Sequence, residues 1–251
     1  MLGQLQHPGI ACIYEAGVAD IVTGSSTASR QPFFAMELIR GTPLNKHADR
    51  RDLDMRARLE LMARVCHAVQ HTHQKGVIHR DLKSGNVFVD ESGQPKILDF
   101  GVARAMDADL QTVTLHTHAG QIVGTVAYMS PEQVVGDAKA VDVRSDVYAL
   151  GVIGFQLLTD RLPLDVSCKS IPDAVRVISD VDPPLLGAVN VTLRGDLEAI
   201  FAKALEKDPT RRYSSAVELG SDIRRFLDDQ PILARLTADI RKGCGSTARE
   251  G

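Results

Sequence analysis

Apolar and polar positions alternate in three different ways along this chain. Residues 10–18 and 32–39 are short apolar stretches, the first carrying Tyr14 and Gly17, the second Phe33, Phe34 and Met36 and closed by Gly41. Each is expected to be a strand. The polar run 23–29 between them reads as a flexible loop. After Gly41 the period becomes helical: Leu59, Met62, Cys66, Val69 and His73 step by 3, 4, 3 and 4, one face of a helix. Asp54 is the expected N-cap of that helix and Gly76 its stop. Two short β pieces follow at 87–89 and 96–98, joined by a turn over 91–95.

Residues 99–132 show little periodicity, and a segment that long without a pattern is functional or disordered. From Asp146 to Leu158 apolar residues lie on nearly every side, which predicts a central buried helix. Further helices are expected over 171–179, 196–206 and 214–228. The last would turn Val217, Leu219, Ile223, Phe226 and Leu227 mostly to one side. Residues 232–251 are weakly patterned and expected to fray.

Composition narrows the class. The 251 residues carry 29 Lys+Arg against 32 Asp+Glu, a formal charge of −3, with 44% hydrophobic and 24% charged residues. That balance belongs to a globular chain and argues against a nucleic-acid partner, which would call for a basic excess. No apolar run approaches the roughly 18 residues of a membrane helix. The first seven residues lack the pattern of a secretory signal. Cys12, Cys66, Cys168 and Cys244 never form a Cys-x-x-Cys pair. A zinc site or disulfide framework is not expected, and a reducing cytoplasm fits. His116 and His118 read as solvent-facing.

The chemistry sits in three ordered motifs. His79-Arg80-Asp81-Leu82-Lys83-Ser84-Gly85-Asn86 follows a helix and precedes a strand. Asp99-Phe100-Gly101 begins 13 residues after Asn86. Gly124-Thr125-Val126-Ala127-Tyr128-Met129-Ser130-Pro131-Glu132 comes last. In order and in context, these motifs resemble the protein kinase superfamily, and within it the bacterial branch of the eukaryotic-like Ser/Thr kinases. The resemblance runs from about His7 to about Phe226. It implies an α+β fold: a remnant of the small lobe over 1–39 (the end of a helix, two strands and the hinge), a mainly helical large lobe over 40–229, and a tail over 230–251.

The resemblance also assigns roles. The implied substrate is ATP with Mg²⁺, and the implied acceptor is a Ser or Thr hydroxyl of a protein. Asp81 would accept the hydroxyl proton and Lys83 would reach the γ-phosphate. Asn86 and Asp99 would offer oxygens to Mg²⁺, a hard cation that prefers them. Glu37 and Ile39 would form the hinge against adenine. Met36 would stand behind it as gatekeeper and Phe88 beneath it, although both residues also suit an ordinary core. Asp81-Leu82-Lys83 and Thr125 fit Ser/Thr rather than Tyr specificity. Arg80 would clamp a phosphate on the following segment, with Thr112, Thr114 and Thr117 as acceptors or as plain polar residues. Glu132 would pair with Arg212, and Asp146 would cap the catalytic loop. Ser84, Gly85 and Ser130 depart from the commonest family pattern.

One departure is larger. A complete domain opens with a Gly-rich loop, a strand lysine and a helix glutamate. Here the first lysine is Lys46, beyond the hinge, and no Gly-x-Gly-x-x-Gly precedes it. The chain is therefore read as starting inside the small lobe. The 251-residue polypeptide is expected to bind nucleotide weakly and to transfer phosphate poorly. The competing class is a non-catalytic pseudokinase or interaction scaffold, against which Asp81, Asn86 and Asp99 all stand intact.

Overall fold

The computed structural model describes residues 6–23, 27–99 and 125–234. Strands β1 (Ile13–Thr23) and β2 (Thr27–Met36) form an antiparallel hairpin with Gly17 opposite Phe33 and Val18 opposite Pro32. The strands run further into the polar stretch than expected. The cross-strand pairing continues through Ile21–Ser29, Val22–Ala28 and Thr23–Thr27, and the bonds along this inner edge outweigh the loop-forming composition of those residues. At the other ends the strands are shorter. Ile10 makes only an isolated parallel bridge to Ile97, and Leu38, 83% exposed, lies beyond β2.

A second sheet joins β3 (Gly41–Pro43), β4 (Val87–Asp90) and β5 (Pro95–Ile97) in that order, antiparallel throughout. Strand β3 had no clear signal, because three residues are too few to show a period.

Helix α1 (Leu44–Arg50) leads into α2 (Met55–Gln74), the helix expected from the 3–4–3–4 spacing. Leu59, Met62, Cys66 and Val69 are all buried on its inner face. The Asp54 carboxylate accepts from the N–H of Ala57 at 2.8 Å and caps the start. At the other end Gly76 adopts φ 72°, a conformation that costs a residue with a Cβ. Its N–H bonds the His73 carbonyl, and the N–H of Val77 bonds that of Thr72, closing the last turn in a Schellman arrangement.

The remaining helices are α3 (Pro131–Val134), α4 (Val143–Thr159), α5 (Ile171–Asp180), α6 (Leu186–Val189), α7 (Asp196–Ala204) and α8 (Ala216–Leu227). As its composition implied, α4 is central: Val147, Leu150, Val152, Ile153 and Phe155 are all essentially inaccessible, and α4 packs on α2, α7 and α8. Gly154 makes the closest of these approaches. A Cβ there would overlap the Phe201 ring of α7, so a smaller separation of the two helices is bought by the missing side chain.

Two expectations need correction. Val217 stands 43% exposed on α8, away from the buried face of Leu219 and Ile223. Fraying does not begin at residue 232. Ile232 and Ala234 are buried, and the Asp222 carboxylate accepts from the N–H groups of Leu233 and Ala234 at 2.8 and 2.9 Å. Among the described residues no helix is long and apolar enough to cross a membrane.

Candidate active site

The site is built outward from Asp146, in the first turn of α4 and 1% exposed. Its Oδ2 accepts from the His79 N–H and from the His73 ring, both at 2.8 Å, and its Oδ1 accepts from the Arg80 N–H at 2.9 Å. A buried carboxylate is stable when its lone pairs are met this fully. The expected cap on the loop 79–86 therefore forms, and it fixes the backbone just before Asp81. Gln133 of α3 holds the other side, its amide donating to the Arg80 carbonyl at 2.8 Å. Arg80 itself has φ 67°, a strained value for a residue with a side chain, maintained by these surrounding bonds.

His79 is buried and links two motifs. Its Nδ1 accepts from the Asp81 N–H at 3.3 Å, so its Nε2 carries the proton and donates to the Leu98 carbonyl at 2.9 Å. The Leu98 N–H in turn bonds the Asn86 carbonyl at 2.8 Å. Asp99 follows directly, exposed, with φ 56°. The loop 79–86 is thus locked to Leu98, the residue before Asp99.

Side chains converge at Asp81. Lys83 Nζ donates to its two carboxylate oxygens at 3.1 and 3.4 Å and to Thr125 Oγ1 at 2.9 Å. Asn86, buried in the 3₁₀ turn Ser84–Asn86, donates through Nδ2 to the Asp81 carbonyl at 3.0 Å and more weakly to its carboxylate at 3.4 Å. Thr125, 42 residues beyond Lys83, therefore joins this cluster through the Lys83 ammonium.

The residues expected to form the hinge follow β2. Met36 ends β2 and pairs with Ile13. The Glu37 N–H bonds the Cys12 carbonyl at 2.8 Å, and its carboxylate accepts from the Cys12 N–H at 3.2 Å and from Lys96 Nζ. The Lys96 hydrogen bond, with the Cys12 N–H and the Lys96 charge, holds the Glu37 carboxyl below its usual range against the opposing effect of burial. Among the described residues neither the Glu37 carbonyl nor the Ile39 N–H takes part in a backbone hydrogen bond. An open cavity of about 330 Å³ runs between Glu37–Arg40 and the β4–β5 turn with Lys96. Met36 and Phe88 are half-buried and line neither this cavity nor the crevice beside Asp81.

Beneath the site, Glu132 and Arg212 form a buried bidentate pair at 2.7 and 2.8 Å. Ser145 donates to Glu132, and the remaining Arg212 N–H groups reach the carbonyls of Arg144, Glu206 and Lys207. Burial pushes the Glu132 carboxyl up, but Arg212 and Ser145 outweigh it and hold the group below the usual carboxylate range. Phe100, Gly101, Thr112, Thr114, Thr117 and Gly124 lie outside the described residues.

Some participants carried a signal that motif reading passed over. Ser130-Pro131-Glu132-Gln133 has the spacing of a capping box, and Gln133 Oε1 does accept from Ser130 N–H and Oγ at 3.1 and 3.0 Å. The His73–Asp146 and Glu37–Lys96 contacts span 73 and 59 residues and had no local signal.

The family model described as protein kinase domain matches residues 1–222. The chain belongs to the protein kinase family. A probable serine/threonine-protein kinase of Streptomyces coelicolor is 36% identical over 230 residues, covering 91% of this chain and 32% of that protein. Serine/threonine-protein kinase PknB of Mycobacterium leprae is 34% identical over 243 residues, covering 96% and 37%. PknB of Mycobacterium tuberculosis H37Rv is 35% identical over 229 residues, covering 90% and 34%. The chain thus spans about a third of the length of the curated relatives it matches. Its kinship is with the serine/threonine branch, and the α+β fold expected from the motifs is the fold observed.

Proposed function

We propose that this chain carries the catalytic centre of a protein serine/threonine kinase, transferring the γ-phosphoryl group of ATP to a Ser or Thr hydroxyl of a protein. The observation that carries the reading is that Lys83 and Asn86 meet at the carboxylate of Asp81, with Thr125 joined to them through Lys83. In the proposed reaction the substrate hydroxyl oxygen bonds the γ-phosphorus as the bond to the β–γ bridging oxygen breaks. ADP leaves, and the hydroxyl proton passes to Asp81. Lys83, already between Asp81 and Thr125, offers a mobile positive charge to the transferring group. Thr125 orients the acceptor beside Asp81.

The donor set suits Mg²⁺. Asn86 turns its NH₂ toward Asp81, which fits its oxygen as the metal-facing atom, and Asp99 adds an exposed carboxylate. Mg²⁺ is commonly held by one or two such oxygens together with substrate phosphates. Bound there, it would neutralise phosphate charge as the leaving oxygen develops it. The Glu37 carbonyl and Ile39 N–H, which have no backbone partner among the described residues, fit an adenine edge; the family resemblance, rather than the cavity lining, is what assigns Met36 and Phe88 to the same nucleotide. Protein substrates, rather than nucleic acid, fit the formal charge of −3. Cys12, Cys66 and Cys168 are free thiols, in keeping with a reducing cytoplasm.

The test is single-turnover phosphate transfer with the chain in excess over γ-labelled ATP, offering peptides that differ only in carrying Ser, Thr or Tyr. Slow label on the Ser and Thr peptides, abolished by EDTA, is expected. Label on the Tyr peptide alone, or none on any peptide, would contradict the proposal.

A further inference from the structure

Ser84 departs from the family's commonest residue without touching a charged group, yet its hydroxyl is engaged. Its Oγ lies 2.8 Å from the Tyr128 phenol oxygen, and the phenol donates to the Gln156 side-chain carbonyl at 2.6 Å. A phenol has one proton, so the Ser84 hydroxyl is the donor to Tyr128. The relay therefore runs from Ser84 through Tyr128 to Gln156.

Both ends of the relay are placed by elements that build the site. Ser84 follows Lys83 and opens the 3₁₀ turn that carries Asn86. Gln156 stands on α4, the helix that presents Asp146. Tyr128 is nearly buried between them, and its N–H bonds the Thr125 carbonyl at 3.1 Å. Burial pushes its phenol up, partly offset by the bonds to Ser84 and Gln156, so it remains a proton donor at neutral pH. The neighbouring contact is Lys83 to Thr125 at 2.9 Å. Two side-chain rungs thus tie residues 83–84 to the turn 125–128. Thr125, Tyr128 and Met129 of this turn lie across a narrow crevice from Arg80, Asp81 and Leu82.

We propose that Ser84 is a positioning residue for the protein acceptor: through Tyr128 it fixes Thr125 relative to Asp81 and Lys83, and so sets where the acceptor hydroxyl sits. This rests on the kinase reading above and adds a residue to it. Ser84 acts through Tyr128, so its loss should be felt by the acceptor and not by the nucleotide.

The test compares Ser84→Ala, Ser84→Thr, Tyr128→Phe and the Ala/Phe double variant of the 251-residue chain. Removing one neutral hydrogen bond should raise the KM for a Ser-containing peptide about fivefold. The KM for ATP should not change. Ser84→Thr should restore the peptide KM. The double variant should be no worse than Tyr128→Phe, because both changes remove the same rung. Independently of turnover, Ser84→Ala should raise amide hydrogen exchange at Ala127–Met129 about fivefold, with α7 unchanged. Exchange and peptide KM both unaffected by Ser84→Ala, or no rescue by threonine, would overturn the proposal. A chain that labels no peptide would defeat the kinase reading alone, and the exchange measurement would still decide the role of Ser84.

Discussion

Asp81→Asn is expected to lower phosphate transfer by about 10²- to 10⁴-fold, the range that a positioned general base contributes. The change keeps the size of the side chain and an oxygen able to accept from Lys83, which holds the carboxylate at 3.1 and 3.4 Å. It removes the negative charge and the site proposed to take the hydroxyl proton. The backbone of the loop is held independently, by Asp146 on His79 and Arg80 and by Gln133 on the Arg80 carbonyl. Thermal stability should therefore stay within a degree or two while turnover falls. Single-turnover labelling, read beside a melting curve, separates the two effects. Undiminished transfer in the variant would remove Asp81 from the chemistry.

Arg212→Ala is expected to cost about 3–5 kcal/mol of folding stability, because it strands Glu132 as a buried charge. Arg212 is 4% exposed and Glu132 6%. Each Arg212 donor has an oxygen partner, so truncation also leaves the Arg144, Glu206 and Lys207 carbonyls short of a donor. Urea denaturation should show a lower midpoint. The penalty should depend on pH in a definite sense. In the native chain Glu132 titrates below its ordinary 4.5, so its pairing stabilises above that pH and is lost as pH falls through the folded value. In the variant, with Arg212 gone, burial raises the Glu132 pKa instead. Protonation then relieves the stranded charge, and the difference between variant and native chain should shrink on acidification from pH 7. A difference that grows toward acid would show that Arg212 stabilises by some route other than Glu132.

What the sequence disclosed depended on how local each signal was. The α2 stripe, its Asp54 cap and its Gly76 stop were legible because all of them act within one or two turns. The apolar run of α4 announced a buried helix for the same reason. The hairpin ends were not legible, because pairing between β1 and β2 extends both strands through residues whose own composition favours a loop. Segment 232–234 looked like a loose tail, yet a single buried carboxylate, Asp222, holds it. At the site, the motifs named Asp81, Lys83, Asn86 and Thr125, and the structure brings those four together. The polar groups that hold them in place were beyond reach of a local pattern. His73, Gln133 and Gln156 come from three different helices, and only folding sets them against the loop 79–86 and Tyr128.

The central proposition is that Asp81, Asn86 and Asp99 gather around one metal–nucleotide position. The most direct measurement uses Mn²⁺ with a non-hydrolysable ATP analogue and follows paramagnetic loss of NMR signals in the 251-residue chain. Signals from residues 81–86 and 97–99 should vanish, those of α8 should persist, and Asp99→Asn should bring the lost signals back. Loss confined to some other surface, or loss around Asp81 that Asp99→Asn leaves untouched, would contradict it.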